Sequence, residues 1–106
     1  MSYEYVKHPS HYSQQGRKDC WDEWVDKYGA DYAAIICLGT VDKYLYRFGT
    51  KPNNEVTMDV KKAREFFNKA STLIDMCVYV SPRVLAMQRH LDKALHNAEE
   101  TLNAKH

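Results

Sequence analysis

The sequence lacks the parts from which phosphate and metal sites are usually built. Its four glycines stand apart, so no glycine-rich loop of the P-loop or dinucleotide kind can form. There is no HExxH pair and no EF-hand loop. Cysteine is scarce and odd in number. Cys20, Cys37 and Cys77 are far apart in helical-looking segments, which excludes a disulfide framework and fits reduced, buried thiols in a cytoplasmic setting. No apolar run approaches 18 residues, so no membrane span is expected. Met1-Ser2-Tyr3-Glu4-Tyr5 has no basic and then apolar leader pattern. Charge of one sign is missing too. Fifteen Lys and Arg against fourteen Asp and Glu leave a net charge of +1, which argues against general DNA binding. What the chain does have is tyrosine, eight in 106 residues, a side chain suited to interfaces and ring-stacking pockets.

The patterning predicts a single all-α domain of about four helices, with an irregular N-terminal arm (1–18), a helical core (19–80) and a long C-terminal helix (81–106). The first helix is expected over Cys20 to Tyr28, capped by Asp19 and stopped by Gly29. Its two tryptophans should anchor it to the core. The second is expected from Tyr32 to Phe48, with Asp31 as cap and Gly49 as stop. Its half from Tyr32 to Leu38 is apolar on every side, as a helix buried all round would be. Residues 49–54 read as a return between antiparallel helices. Thr57 should cap a third helix reaching about Val80, with an apolar stripe through Val60, Ala63, Phe67, Ala70 and Ile74. Ser81-Pro82 then starts a fourth, to about Ala104. The apolar seam of that helix, about 34 Å long, exceeds what one small core needs and suits packing on another subunit.

Binding chemistry concentrates on the stretch from Cys37 to Gly49. Lys43 and Arg47, four residues apart, share one helix face, and Thr40 and Gly39 lie beside it. A hydroxyl, an ammonium and a guanidinium along one side suit a phosphate or carboxylate. The same pair also suits the negative end of the helix dipole, or a merely solvated face. Lys61, Lys62 and Arg64 crowd the start of the third helix, against the dipole. Either an anionic partner answers them or their long stems reach into water. His8-Pro9-Ser10-His11-Tyr12 is stiffened by its proline and offers two imidazoles and a ring, for stacking on a base or for packing on the core. Asp22-Glu23-Asp26 is the nearest approach to a metal-caging acid set, and His8 with His11 lacks further ligands at suitable spacing. No metal and no cofactor is expected.

Three blocks together resemble a known family. His8-Pro9-Ser10-His11-Tyr12, then Cys37 to Lys51 (CLGTVDKYLYRFGTK), then Asp59-Val60-Lys61-Lys62-Ala63-Arg64 with Phe66-Phe67 are similar, in order and spacing, to the SaV-like family of small bacteriophage proteins. That family is largely helical and includes a podoviral nucleotide kinase that works without a P-loop. The resemblance implies nucleotide binding. Matched by position, it points to His8, His11, Tyr12, Lys43, Tyr44, Arg47, Lys51 and Lys62. The family's Asn after the glycine is Thr40 here, and its Ile before the lysine is Asp42. The expectation is a phage protein in the cytoplasm of an infected bacterium, homo-oligomeric, holding a nucleotide or cyclic nucleotide. It would sequester a signal of host antiviral defence without catalysis. The alternatives are a nucleoside monophosphate kinase, and a protein that inhibits a host partner through its last helix.

Overall fold

A computed structural model describes residues 20–50 and 56–104. They form four helices and no strand: α1 Cys20–Tyr28, α2 Ala30–Thr50, α3 Val56–Met76 and α4 Pro82–Ala104. The chain is all-α. Helices α2, α3 and α4 run up, down and up. Arg47 meets Asp59 and Tyr44 meets Phe66, which sets α2 antiparallel to α3. Arg64 meets Glu99 and Gln88 meets Ser71, which does the same for α3 and α4. Short α1 lies across α2 and places its tryptophans against Phe66 of α3.

The junction of α1 and α2 is a single residue. Gly29 has φ +91°, a left-handed geometry that closes a helix and suits glycine. Its N–H donates to the Val25 carbonyl at 2.9 Å, and its own carbonyl accepts the Ala33 N–H at 2.9 Å. Gly29 therefore ends one helix and begins the next. Helix α2 starts two residues earlier than expected, and Asp31 instead receives the N–H of Tyr32 at 2.9 Å. Nor does Gly49 stop the helix. It runs on to Thr50, whose hydroxyl donates to the Tyr46 carbonyl at 3.1 Å.

Helix α3 stops at Met76, four residues short of the expected Val80. Its end is tightened by the Cys77 N–H donating to the Ile74 carbonyl at 3.1 Å. Beyond it, Val78, Tyr79 and Val80 are β-branched or aromatic, and Pro82 holds Ser81 extended, so continuing the helix gains little. Ser81 caps α4 as expected: its Oγ accepts the N–H groups of Arg83 at 3.1 Å and Val84 at 3.4 Å.

The core lies where α2, α3 and α4 meet. Ala33, Ala34, Cys37, Leu38 and Val41 of α2 face Ala63, Phe67, Ala70 and Leu73 of α3, and Leu91, Leu95 and Ala98 of α4 close it. The middle of the α4 seam, Leu91, Leu95 and Ala98, is thus covered within the chain, and its ends at Val84, Met87 and Leu102 are partly buried. The first half of α2 is not buried all round, because Tyr32 is 60% and Ile35 39% exposed. Helix α1 ends where α2 begins, and among the described residues nothing crosses that outward side. No helix among them is long and apolar enough to cross a membrane.

Candidate functional site

The second half of α2 and the first turns of α3 carry the described candidates. Along α2, Thr40, Lys43, Tyr44 and Arg47 follow at helical spacing. Across from them on α3 stand Asp59, Lys62 and Phe66, again three and four residues apart. Tyr44 is half-buried and stacks on Phe66, with ring centroids 6.1 Å apart and planes inclined by 26°. Below Phe66, Trp21 meets it edge-on at 5.2 Å and Trp24 lies at 6.1 Å. The tyrosine ring therefore rests on an aromatic base contributed by two other helices, α1 and α3. Lys43 is exposed, its Nζ 5.2 Å from the Tyr44 ring centroid.

Arg47 is oriented by a residue that sequence reading did not place in the site. Its Nε donates to Asp59 Oδ2 at 3.3 Å, and the Asp59 carboxylate is 8% exposed against 38% for the arginine. One of five guanidinium N–H donors is engaged, and the other four have no partner among the described residues. In the sequence Asp59 reads as an acid in the first turn of a helix and as the start of the third family-like block, with no sign of its partner. The hairpin brings it to Arg47.

Lys62 lies one turn from both Asp59 and Phe66 and is exposed. Neither Lys43 nor Lys62 has a carboxylate within ion-pair distance among the described residues. Thr40 is engaged within its own helix, its hydroxyl donating to the Ile36 carbonyl at 2.9 Å, so only its lone pairs remain. His8, His11, Tyr12 and Lys51 lie outside the described residues.

The basic run at the start of α3 divides. Successive residues on a helix point about 100° apart, so Lys61 and Arg64 turn toward α4 while Lys62 stays with α2. Arg64 forms a two-pronged pair with Glu99, Nε to Oε2 and Nη2 to Oε1, both at 2.8 Å. Its guanidinium also stands 5.4 Å from the Phe67 ring centroid. The hydrogen bond to Arg64 holds the Glu99 carboxyl below its usual range and raises the guanidinium's own value. The pair borders a cleft of about 570 Å³ between the start of α3 and the end of α4, lined also by Thr57, Val60, Lys61 and Leu102. Arg64 is therefore a brace for α4, and the cleft is separate from the Tyr44 seam.

Nucleophilic and metal chemistry find little footing among the described residues. The three cysteines form no disulfide. Burial, with Cys20 adding to it, pushes the Cys37 thiol up to about 12, so it stays protonated at neutral pH. Burial likewise raises Cys77. No three His, Cys, Asp or Glu side chains among the described residues gather into a metal-binding group. Asp22 is buried instead on α1, with Lys69 Nζ 3.9 Å from its Oδ1.

Residues 6–68 match a family described as a protein of unknown function, DUF3310. That span holds every candidate residue from His8 to Lys62 and leaves out α4. No curated protein and no solved structure matches the chain.

Proposed function

The chain belongs to the DUF3310 family, and from that premise we propose that it is a nucleotide-phosphate-binding protein whose site is the seam between α2 and α3. The observation that carries this reading is the setting of Tyr44. Lys43, exposed and without a carboxylate partner among the described residues, stands over a ring backed by Phe66, beside an arginine that Asp59 holds in place, and Lys62, likewise exposed, lies one turn of α3 from both Asp59 and Phe66. Fixed rings and unanswered cations side by side are what a base and its phosphates require. Asp59 neutralises part of Arg47 but also removes its freedom to swing, which lowers the entropy lost on binding. The likeness of three sequence blocks to SaV-like phage proteins points the same way. With the Cys37 thiol held protonated and no evident catalytic set among the described residues, the reading is binding without chemistry, the sequestration of a nucleotide signal by a phage protein.

The test is thermal stabilisation of the full chain by a panel of deoxynucleoside monophosphates, nucleoside diphosphates and cyclic dinucleotides. At least one should raise the melting temperature. Lys43→Ala and Lys62→Ala should each weaken that ligand about 10-fold or more, as expected for a charge-assisted contact of about 1.5–3 kcal/mol. These two are better probes than Arg47→Ala, which would leave the Asp59 carboxylate buried without its partner. A flat response across the panel refutes the reading. Formation of a diphosphate from ATP and a monophosphate would replace sequestration with a kinase.

A further inference from the structure

Most of the exposed large apolar side chains collect at the end of the bundle opposite the Tyr44 seam. Tyr28 closes α1, Tyr32 and Ile35 open α2, and Met76, Val78 and Tyr79 occupy the end of α3 and the link to α4. Two hollows sit among them and share Tyr32 and Ile35. One, of about 320 Å³, is lined by Tyr28, Tyr32, Ile35 and Ile36. The other, of about 190 Å³, brings Tyr32 and Ile35 together with Ile74, Tyr79, Val80 and Val84. Among the described residues, Asp31 is the one charged side chain lining either. Core demand does not explain this surface, because the buried side of α2 is already filled by Ala33, Ala34, Cys37 and Leu38.

We propose that this end is where two copies of the chain associate. Three observations favour a second copy over an unlike partner. The first is area. At about 200 Å² for a large side chain, the six expose on the order of 750 Å², close to the ~800 Å² per partner of a standard interface. The second is shape. A two-fold interface needs one surface to supply both projections and recesses, and here Val78, fully exposed, and Tyr79, 72% exposed, project beside the two hollows. The third is charge. Hollows lined by a single acid among the described residues offer little to steer a charged partner, whereas an apolar self-match needs no steering. Tyr32 and Ile35 lie 12 to 15 residues before Arg47, roughly 20 Å along α2. Association would therefore leave the Tyr44 seam open on both copies, and the two proposals fail independently.

Sedimentation of the full chain across a concentration series tests this. A monomer–dimer equilibrium is expected for the native chain. The double variant Ile35→Glu with Tyr79→Asp should raise its dissociation constant about 30-fold or more, the scale of a hot-spot loss. Both side chains are exposed in the monomer, so circular dichroism should show unchanged helicity. Tyr46→Asp, equally exposed on the far half of α2, should leave the equilibrium unaltered. A native chain that stays monomeric at every concentration overturns the proposal and leaves the face to an unlike partner. So does a dimer that survives the double variant or is broken by Tyr46→Asp.

Discussion

Replacing Phe66 by alanine tests the aromatic base on which the fold and the candidate site both rest. Phe66 is 9% exposed and touches rings from two other helices: Trp21 and Trp24 of α1 and Tyr44 of α2. A buried Phe→Ala change costs about 3–5 kcal/mol. The upper half of that range is expected here, because each aromatic pair contributes about 0.5–1.5 kcal/mol beyond its area. Against a total of about 5–15 kcal/mol, such a loss brings the domain near its limit. The melting temperature should fall by on the order of 20 °C. Both tryptophans of the chain lie against this ring, so urea unfolding followed by their fluorescence reads the site directly. The native emission of the variant should shift to the red as water reaches the indoles. Phe66→Leu, which keeps most of the apolar volume, should cost about 1 kcal/mol. If Phe66→Ala costs under about 1 kcal/mol, or leucine does no better than alanine, the ring is not the anchor described.

Two further outcomes follow from single residues. Glu99 has its carboxyl lowered by Arg64, so the pair's contribution is present above the usual carboxylate value and lost as pH falls through the depressed one. Glu99→Gln should therefore lower stability by about 1 kcal/mol at pH 7, with the gap from the native chain closing in acid; a gap that persists unchanged at low pH would refute the role of the charge. Gly39 lies inside α2, exposed, and a Cβ built there meets nothing within 4 Å. Gly39→Ala should stabilise by about 0.5–1 kcal/mol in a denaturant titration, and destabilisation would show that the helix needs a glycine there.

Helix ends were readable in the sequence at Gly29 and at Ser81-Pro82 but not at Gly49, where the backbone stays helical to Thr50. Gly29 stopped α1 because its left-handed φ belongs to glycine, and Ser81-Pro82 began α4 because a hydroxyl cap and a fixed φ coincide. The end of α3 was misread because no such residue marks it. The helix gives way at Cys77, ahead of three residues that gain little from helical geometry. The all-round burial expected for the start of α2 failed for another reason. Apolarity on every side says that a surface wants cover, not that the chain has an element to provide it. In the candidate site, Thr40, Lys43 and Arg47 were named from spacing within one helix, and Tyr44 from the family resemblance. Their partners were not, since Asp59 lies across a hairpin, and Glu99, which takes Arg64 out of the basic run, lies 35 residues further on. Pairings of that range depend on which faces meet.

Each helix of this bundle packs on the next one in the chain, and that order bears on how the protein folds. Arg47 and Asp59 are 12 residues apart, so the α2–α3 hairpin closes a short loop at small entropic cost. Local contacts of this kind let helical domains fold in microseconds to milliseconds. The hairpin carries the larger part of the core. Helix α4 closes the core that these two helices share, and the two-pronged Arg64–Glu99 pair seats it in one register. A guanidinium and a carboxylate facing each other squarely reject a slip of one residue, which a stripe of leucines and alanines would tolerate.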